Sequence, residues 1–455
     1  MICTLAEFAR LSGGLLQGGD RAYSALSTDS RTIGAGELFI ALSGPNFDGH
    51  DYALAAAERG AAGVVVGRRL ALNISQIIVD DPLKALQRAA TAWRAGHSLP
   101  IVGVGGSNGK TTTKELIASV LSVRGSCLAT RGNLNNHIGV PLTLLGLDRQ
   151  HAMAVVEVGT NHPGEVAALV ALVQPTVGLV TNAGAEHLEG FGSLDGVARA
   201  EGELYERLAP GAAAIINVDD HYAPLWREMN SATREIGFGV GSGADVTILG
   251  DIRVSGPAGS IQEFTLATPG GQANVRLSLA GRHNVQNALA AAAAAHAVGV
   301  DVQGIAAGLG RMRPVKGRLE VKLAAGGAHL IDDSYNANPS SLDAGLDVLA
   351  AQPGERWLVL GDMAELGAAS DEAHLRAGHA ARSAGVSRLF AVGSLTVDAV
   401  RTFGDGAEWF ADGDALAARV AGMLRQNVTV LVKGSRVNRL ERVVAALVPA
   451  QAEGR

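Results

Sequence analysis

Short apolar runs that open into polar, glycine-containing turns recur along this chain of 455 residues, and stretches of helical periodicity lie between them. Runs of that length, bounded by glycine and acidic residues, read as strands, and the intervening stretches read as helices. Residues 1–98 carry STDSRTIGAGELFIALSGPNFDGHDY, then the helical AAAERGAAG, then the strand-like GVVVG and QIIVDD, which predicts a small α/β unit of its own. Across residues 99–313, IVGVGG, MAVVEVG, VGLVTNAG and AAIINVDD each precede a helical or loop stretch. That alternation predicts a mostly parallel sheet with helices on both faces and a ligand site at the carboxyl ends of its strands. Residues 314–455 repeat the pattern in WLVLGDMAELG, RLFAVGS and VTVLVKGSR, predicting a third, Rossmann-like domain. Its first strand is not followed by G-x-G-x-x-G, so a dinucleotide site is disfavoured there.

Within this α/β plan the stretch IVGVGGSNGKTTTKELIASVL stands out. The apolar run breaks at Gly103, Gly105, Gly106 and Gly109 and resumes with Leu116, Ile117, Val120 and Leu121 at helical spacing. Strand, glycine loop and helix make a phosphate cradle: backbone N–H groups close on a polyphosphate and the helix N-terminus adds positive potential. Lys110 is placed to reach the β and γ phosphates and Thr111 to hold magnesium. Gly106, Ser107, Asn108, Gly109, Lys110, Thr111 and Thr112 are therefore the expected ATP contacts. Val104 stands where the general P-loop pattern has glycine, so the narrower form GGSNGKTTTKE describes the stretch better. The blander alternative is a glycine turn that only joins a strand to a helix.

Composition narrows the partners. Thirty-eight basic and 44 acidic residues give a formal charge of −6 with no basic block, which argues against a nucleic-acid partner. MICTLAEFARLSG has no basic leader before a long apolar run and reads as the start of the folded protein, so a cytoplasmic location is expected. Cys3 and Cys127 have no neighbouring ligand residues and read as core fillers. Ala288 to Ala297 is nearly all alanine, too weakly apolar for a membrane span. Glu157 and Asn182 fall at strand ends and His187 in the loop that follows, converging on the edge of the cradle. Asp29, Ser30 and Arg31 suit either an anionic sugar-nucleotide ligand or an exposed turn with a local Asp–Arg pair.

Read together, GGSNGKTTTKE, NLNNHIGVPLTLL, EVGTNHPGE, TNAGAEHLEGFGS, GRHNVQNALAA, KGRLE, DDSYNANPSS, GDMAELG and LVKGSR resemble the Mur ligase family over nearly the whole chain. The resemblance implies an N-terminal domain that binds a UDP-sugar peptide, a central P-loop ATPase and a C-terminal Rossmann-like domain that closes over ATP. NLNNHIGVPLTLL, DDSYNANP and GDMAELG narrow this to the ligase activity that joins D-alanyl-D-alanine to UDP-MurNAc-tripeptide through an acyl phosphate, in a protein expected to be a monomer. The third residue of that tripeptide is not legible.

Residue by residue, the resemblance implies Lys110, Glu157, His187 and Arg318 as catalytic residues, with Thr111, Glu157 and His187 holding magnesium. Asn284 and Asn287 look like adenine-side contacts, and Arg318 and Asp333 would approach the nucleotide from the C-terminal domain. Asn284 could instead cap the alanine-rich helix, and Arg318 and Asp333 could instead form an ion pair. Asp29, Ser30 and Arg31 tilt towards the uridine diphosphate. Asn133, Asn135, Asn136, Lys433, Ser435 and Arg436 are further expected substrate contacts. Two positions depart from the family pattern. Glu201 stands where many members have a carbamylated lysine that supports a second magnesium; it either substitutes for that group or is only a surface residue. Gly105 stands where threonine is common. A sibling ligase adding the third peptide residue usually shows a DNPR-type motif, absent here; folylpolyglutamate synthetase and a noncatalytic P-loop switch are more distant alternatives.

Overall fold

The computed structural model describes residues 3–232 and 234–449, with the Cys3 side chain outside the described atoms. Three sheets, one per predicted domain, organise the chain in the three-domain α/β architecture that the alternation anticipates. The N-terminal sheet runs in the order Leu15–Gln17, Gln76–Ile78, Gly63–Val66, Leu38–Ile40, Leu26–Ser27, parallel except for its first pair. Its last helix, Pro82–Ala95, starts where Asp81 accepts hydrogen bonds from the N–H groups of Leu83 and Lys84. That helix also packs on Gly139–Leu145 of the central domain, and one apolar cluster runs from Leu5 and Phe8 through Leu86 to Leu144 and Trp226. The first unit is therefore not separate from its neighbour, because the apolar face of its last helix is completed by the next domain.

The central sheet is fully parallel, in the order Ser126–Ala129, His151–Glu157, Ile101–Gly105, Val177–Val180, Ala213–Asn217, Arg234–Phe238. Strand Ile101–Gly105 sits where the strand order reverses, so the crevice at its carboxyl end lies between two diverging crossovers. The helix Arg282–Ala297 packs against Lys110–Leu121, and its alanines from Ala288 to Ala295 are buried. Alanine suits that position because the surrounding elements leave little room for longer side chains. One feature that the sequence pattern did not reveal is a three-stranded antiparallel sheet, Thr247–Ser255, Ile261–Thr268 and Gly271–Leu277. Its inner residues Phe264, Leu266, Val275 and Leu277 join the core around the alanine-rich helix, while the outer positions are largely exposed.

The C-terminal sheet has the order Glu320–Leu323, His329–Asp333, Val428–Lys433, Glu355–Gly361, Arg388–Val392, Ala407–Phe410, and only its first strand is antiparallel. Register pairs Asp333 with Lys433 at neighbouring strand ends. Cys127 is half-buried, and burial pushes its thiol up to about 12, consistent with a filler and not a reactive group. No helix among the described residues is long and apolar enough to cross a membrane.

Candidate active site

Every residue of Ile101–Gly105 is buried, and the chain leaves the strand through Gly106 at φ 111° and enters the helix after Gly109 at φ 83°. Both angles lie in the region that favours glycine. A Cβ on Gly109 would also stand 2.4 Å from Asn287 Oδ1, so the alanine-rich helix presses on the loop. No side chain caps the helix Lys110–Leu121, which leaves its first-turn amides available for an anion. The loop is strapped to the segment after Val177–Val180. Ser107 Oγ accepts from Gly184 N at 2.8 Å, Asn108 N donates to Asn182 Oδ1 at 3.0 Å, and Thr181 Oγ1 donates to Asn108 O at 2.7 Å.

Lys110 folds back over this loop. Its Nζ donates to Gly106 O and, at 3.0 Å, to Ser107 O, and lies 3.2 Å from Glu186 Oε1. Burial presses the lysine pKa down, but the carboxylates of Glu186, Glu201 and Glu157 outweigh it and the net shift is upward, so the ammonium stays charged. Glu186 was not singled out from the sequence, although it immediately precedes His187 in TNAGAEHLEGFGS. Glu157 ends its strand with Oε1 accepting from Asn135 Nδ2 at 2.9 Å and Oε2 buried without a hydrogen-bond partner. His187 has a left-handed φ of 48°, and its Nδ1 lies 2.8 Å from Oε2 of Glu365, itself at φ 64°, in the GDMAELG loop of the C-terminal domain.

The opposite wall comes from the C-terminal domain. Asn338 Oδ1 caps the helix Pro339–Ala350 by accepting from Ser341 N at 2.8 Å, while its Nδ2 donates to Asn108 Oδ1 at 2.9 Å. Asn108 Nδ2 in turn donates to Ser340 Oγ at 3.0 Å. Arg318 lies 4.2 Å over the Tyr335 ring and donates from Nη2 to Thr111 Oγ1 at 3.2 Å. Between the walls is a cleft of about 800 Å³ whose lining includes Ser107 to Thr112, Glu157, Glu186, His187, Arg318 and Asp333. Asn284 and Asn287 line it from the alanine-rich helix, and Asn133, Asn135 and Asn136 from the other side. The ends of three central strands and two C-terminal loops thus meet around the glycine loop and Lys110.

Comparison with known proteins decides the family. Residues 22–94 match the Mur ligase family catalytic domain, 104–295 the Mur ligase middle domain and 317–436 the Mur ligase glutamate ligase domain. The UDP-N-acetylmuramoyl-tripeptide--D-alanyl-D-alanine ligase of Escherichia coli K12 is 43% identical over 98% of both chains. The chain belongs to the Mur ligase family. A crystal structure of MurF from Acinetobacter baumannii superposes with a TM-score of 0.90, 34% identity and 98% coverage of each chain. MurF ligase from Thermotoga maritima in complex with ADP gives 0.80 at 25% identity, covering 93% of this chain and 96% of that one.

In this Mur ligase several expected contacts stand apart from the cleft. Asp29 accepts from Arg31 N at 2.9 Å, from Nε at 2.9 Å and from Nη2 at 2.7 Å, and those bonds draw its carboxyl down to about 2. That is the local Asp–Arg pair, and neither it nor Ser30 lines the cleft. Ser435 is buried, donating to Ala337 O and accepting from Ala364 N, and Arg436 lies exposed 5.6 Å from the Tyr335 ring. Both are outside the cleft lining, whereas Lys433 lines it and is paired with Asp333. Asp333 thus pairs with Lys433 and Arg318 with Thr111, so the alternative of an Arg318–Asp333 ion pair does not hold. Asn136 accepts from Ile138 N and Gly139 N, which starts the helix Gly139–Leu145. Asn284 donates to Ala280 O and accepts from Asn287 Nδ2.

Glu201 requires the largest correction. It is fully buried, not a surface residue, and it is absent from the cleft lining. Its Oε2 accepts from Gly106 N at 2.6 Å, so the short side chain is committed to the loop backbone and does not join Thr111, Glu157 and His187 at the cleft wall. Burial raises its carboxyl to about 7 against the pull of Lys110. The two positions that depart from the family pattern also touch, since a Cβ on Gly105 would lie 2.9 Å from Glu201 Oε2. Among the described residues no three His, Cys, Asp or Glu side chains are gathered closely enough to hold a metal ion.

Proposed function

We propose that this Mur ligase joins D-alanyl-D-alanine to UDP-MurNAc-tripeptide at the expense of ATP, acting in the cytoplasm as a monomer. The observation that carries this is the 43% identity, over 98% of both chains, to a relative bearing that activity in its name. Support also comes from the cleft, which sets Lys110 and free helix amides against Arg318 and Asp333 from another domain. We infer that residues 1–98 serve the UDP-sugar peptide, 99–313 ATP and 314–455 closure over the nucleotide, a division supported by family matches over 22–94, 104–295 and 317–436.

A carboxylate is a poor acyl donor because amide formation would expel oxide. One oxygen of the tripeptide's terminal carboxylate attacks the γ phosphorus of ATP, the bond to ADP breaks, and an acyl phosphate forms. The amine of D-alanyl-D-alanine then attacks that carbonyl, phosphate leaves with the original carboxylate oxygen, and the amine gives up its proton. Lys110 and the loop amides hold the β and γ phosphates, and Arg318 meets the γ phosphoryl group as it transfers. Lys110 has to exchange Glu186 for phosphate when ATP arrives. Asn284 and Asn287 face the adenine side, Asn133, Asn135 and Lys433 the acyl acceptor, and Asp29, Ser30 and Arg31 the uridine diphosphate.

The residues present fit magnesium: Thr111, Glu157 and His187 offer hydroxyl, carboxylate and imidazole, and the buried Glu157 Oε2 lacks a hydrogen-bond partner. Bound there, magnesium supplies countercharge between the carboxylate and the nucleotide. The test is phosphate release from ATP with magnesium, UDP-MurNAc-tripeptide or its dipeptide precursor, and each candidate amine. Release that needs both the tripeptide and D-alanyl-D-alanine is expected. Release from the dipeptide precursor with a free diamino acid indicates the sibling ligase, and ATP binding without release from any pair indicates a switch.

A further inference from the structure

Glu201 has no part in the mechanism above, yet its carboxylate is fully buried beside the phosphate loop. It projects from the helix Leu194–Glu206 to the Gly105 backbone alongside Val158 and Leu204, where a buried acidic group is costly unless hydrogen bonds and the nearby Lys110 charge compensate. Oε2 accepts from Gly106 N at 2.6 Å, and Oε1 is buried without a hydrogen-bond partner. Gly105 supplies the space, since any Cβ there would crowd Oε2 at 2.9 Å.

The amide that Glu201 holds belongs to the peptide joining Gly105 to Gly106. The other end of the same peptide, Gly105 O, accepts from Thr181 N at 3.1 Å, so the plane is clamped at both ends. The next peptide is fixed in the same way: Gly106 O accepts from Lys110 Nζ, and Ser107 N donates to Asn182 O at 2.9 Å. Glu201 provides the one side-chain acceptor in this double clamp, at the point where the chain turns out of the strand through φ 111° at Gly106.

We propose that Glu201 is a positioning residue of the nucleotide site: it fixes the Gly105–Gly106 peptide so that the following carbonyl orients Lys110 and the loop amides face the phosphates, and Gly105 is the small residue this contact requires. The inference rests on the nucleotide-binding reading above and deepens it.

The test measures binding of a slowly hydrolysed ATP analogue with magnesium to the purified full chain by calorimetry, alongside steady-state kinetics and melting temperature. Glu201→Ala should weaken nucleotide binding by about tenfold, the scale of a lost buried hydrogen bond to a charged acceptor. It should raise KM for ATP without changing KM for the two peptide substrates. Gly105→Ala should reproduce that pattern by displacing the carboxylate. Glu201→Gln, whose amide oxygen can still accept from Gly106 N, should stay within about threefold of the parent. The double variant Gly105→Ala with Glu201→Ala refills part of the space but restores no acceptor, and should remain weak. Recovery of parental binding in the double variant would mean that Glu201 only fills volume and would overturn the proposal, as would unchanged binding in Glu201→Ala. If Glu201→Ala does not fold, Gly105→Ala and Glu201→Gln carry the same decision. A parent chain that binds no nucleotide would sink the nucleotide reading itself, a different outcome from a parent that binds and variants that bind equally well.

Discussion

The phosphate loop and the Asp29–Arg31 turn both read as anion sites in the sequence, and the structure treats them differently. The loop is held from outside, by Thr181, Asn182 and Gly184 after one strand, by Glu201 from a helix and by Asn338 from another domain. Asp29 and Arg31 hold chiefly each other, and the Arg31 side chain is 85% exposed. A site braced by distant residues is organised before its ligand arrives; a pair that satisfies itself must be opened by the ligand. Substitutions in the two places should therefore fail in different ways.

The largest effect is expected at the braced site. Lys110→Ala removes the ammonium to which the proposed mechanism assigns the β and γ phosphates, and turnover should fall by about 10³-fold or more. Circular dichroism and melting temperature should stay parental, because Lys110 bonds loop carbonyls and Glu186 and not the core. Arg318→Ala should lower kcat by about 10²-fold, the scale of one lost transition-state donor, with little change in KM for the tripeptide. Asn338→Ala removes both a helix cap and the bridge to Asn108, and should cost about 1 kcal/mol in denaturant unfolding while raising KM for ATP. Asp29→Ala should be the mildest, raising KM for the UDP-linked peptide by about threefold, leaving ATP binding and stability unchanged, since exposed pairs contribute little. A large effect of Asp29→Ala on ATP would break the contrast between the two sites.

Glu201 sharpens the contrast through pH. Its carboxyl is raised from the ordinary 4.5 to about 7 by burial, so between those values the folded chain keeps a proton that the unfolded chain has lost. Stability from this group therefore declines as pH rises from about 4.5 to about 7 and is level above. Glu201→Gln should remove that decline, as read from urea unfolding of the nucleotide-free chain at pH 5 and pH 7.

Local pattern made the strands, the glycine loop and the parallel order legible, because period and punctuation act within a few residues. The antiparallel sheet between Thr247 and Leu277 was hidden because GDIRVSGPAGS resembles a loop, and strand pairing is a longer-range property. Lys110 and Glu157 could be placed at one cleft because one follows and the other closes a strand, whereas Arg318 and Asp333 were placed there only by the resemblance of KGRLE and DDSYNANPSS to the family. Glu186 was missed because nothing local distinguishes a carboxylate that meets Lys110, 76 residues away, from a solvated one. Glu201 was expected to support a second magnesium, with a surface position as the alternative, because its helix register gives no sign of a partner; only the glycine at position 105 reveals the space made for it beside the loop.

The most direct measurement of where the phosphate goes uses UDP-MurNAc-tripeptide labelled with ¹⁸O in its terminal carboxylate. With ATP, magnesium and D-alanyl-D-alanine, the released inorganic phosphate should carry one ¹⁸O by mass spectrometry, transferred from the carboxylate as the acyl phosphate is cleaved. Unlabelled phosphate formed together with the amide product would contradict carboxylate activation in this cleft.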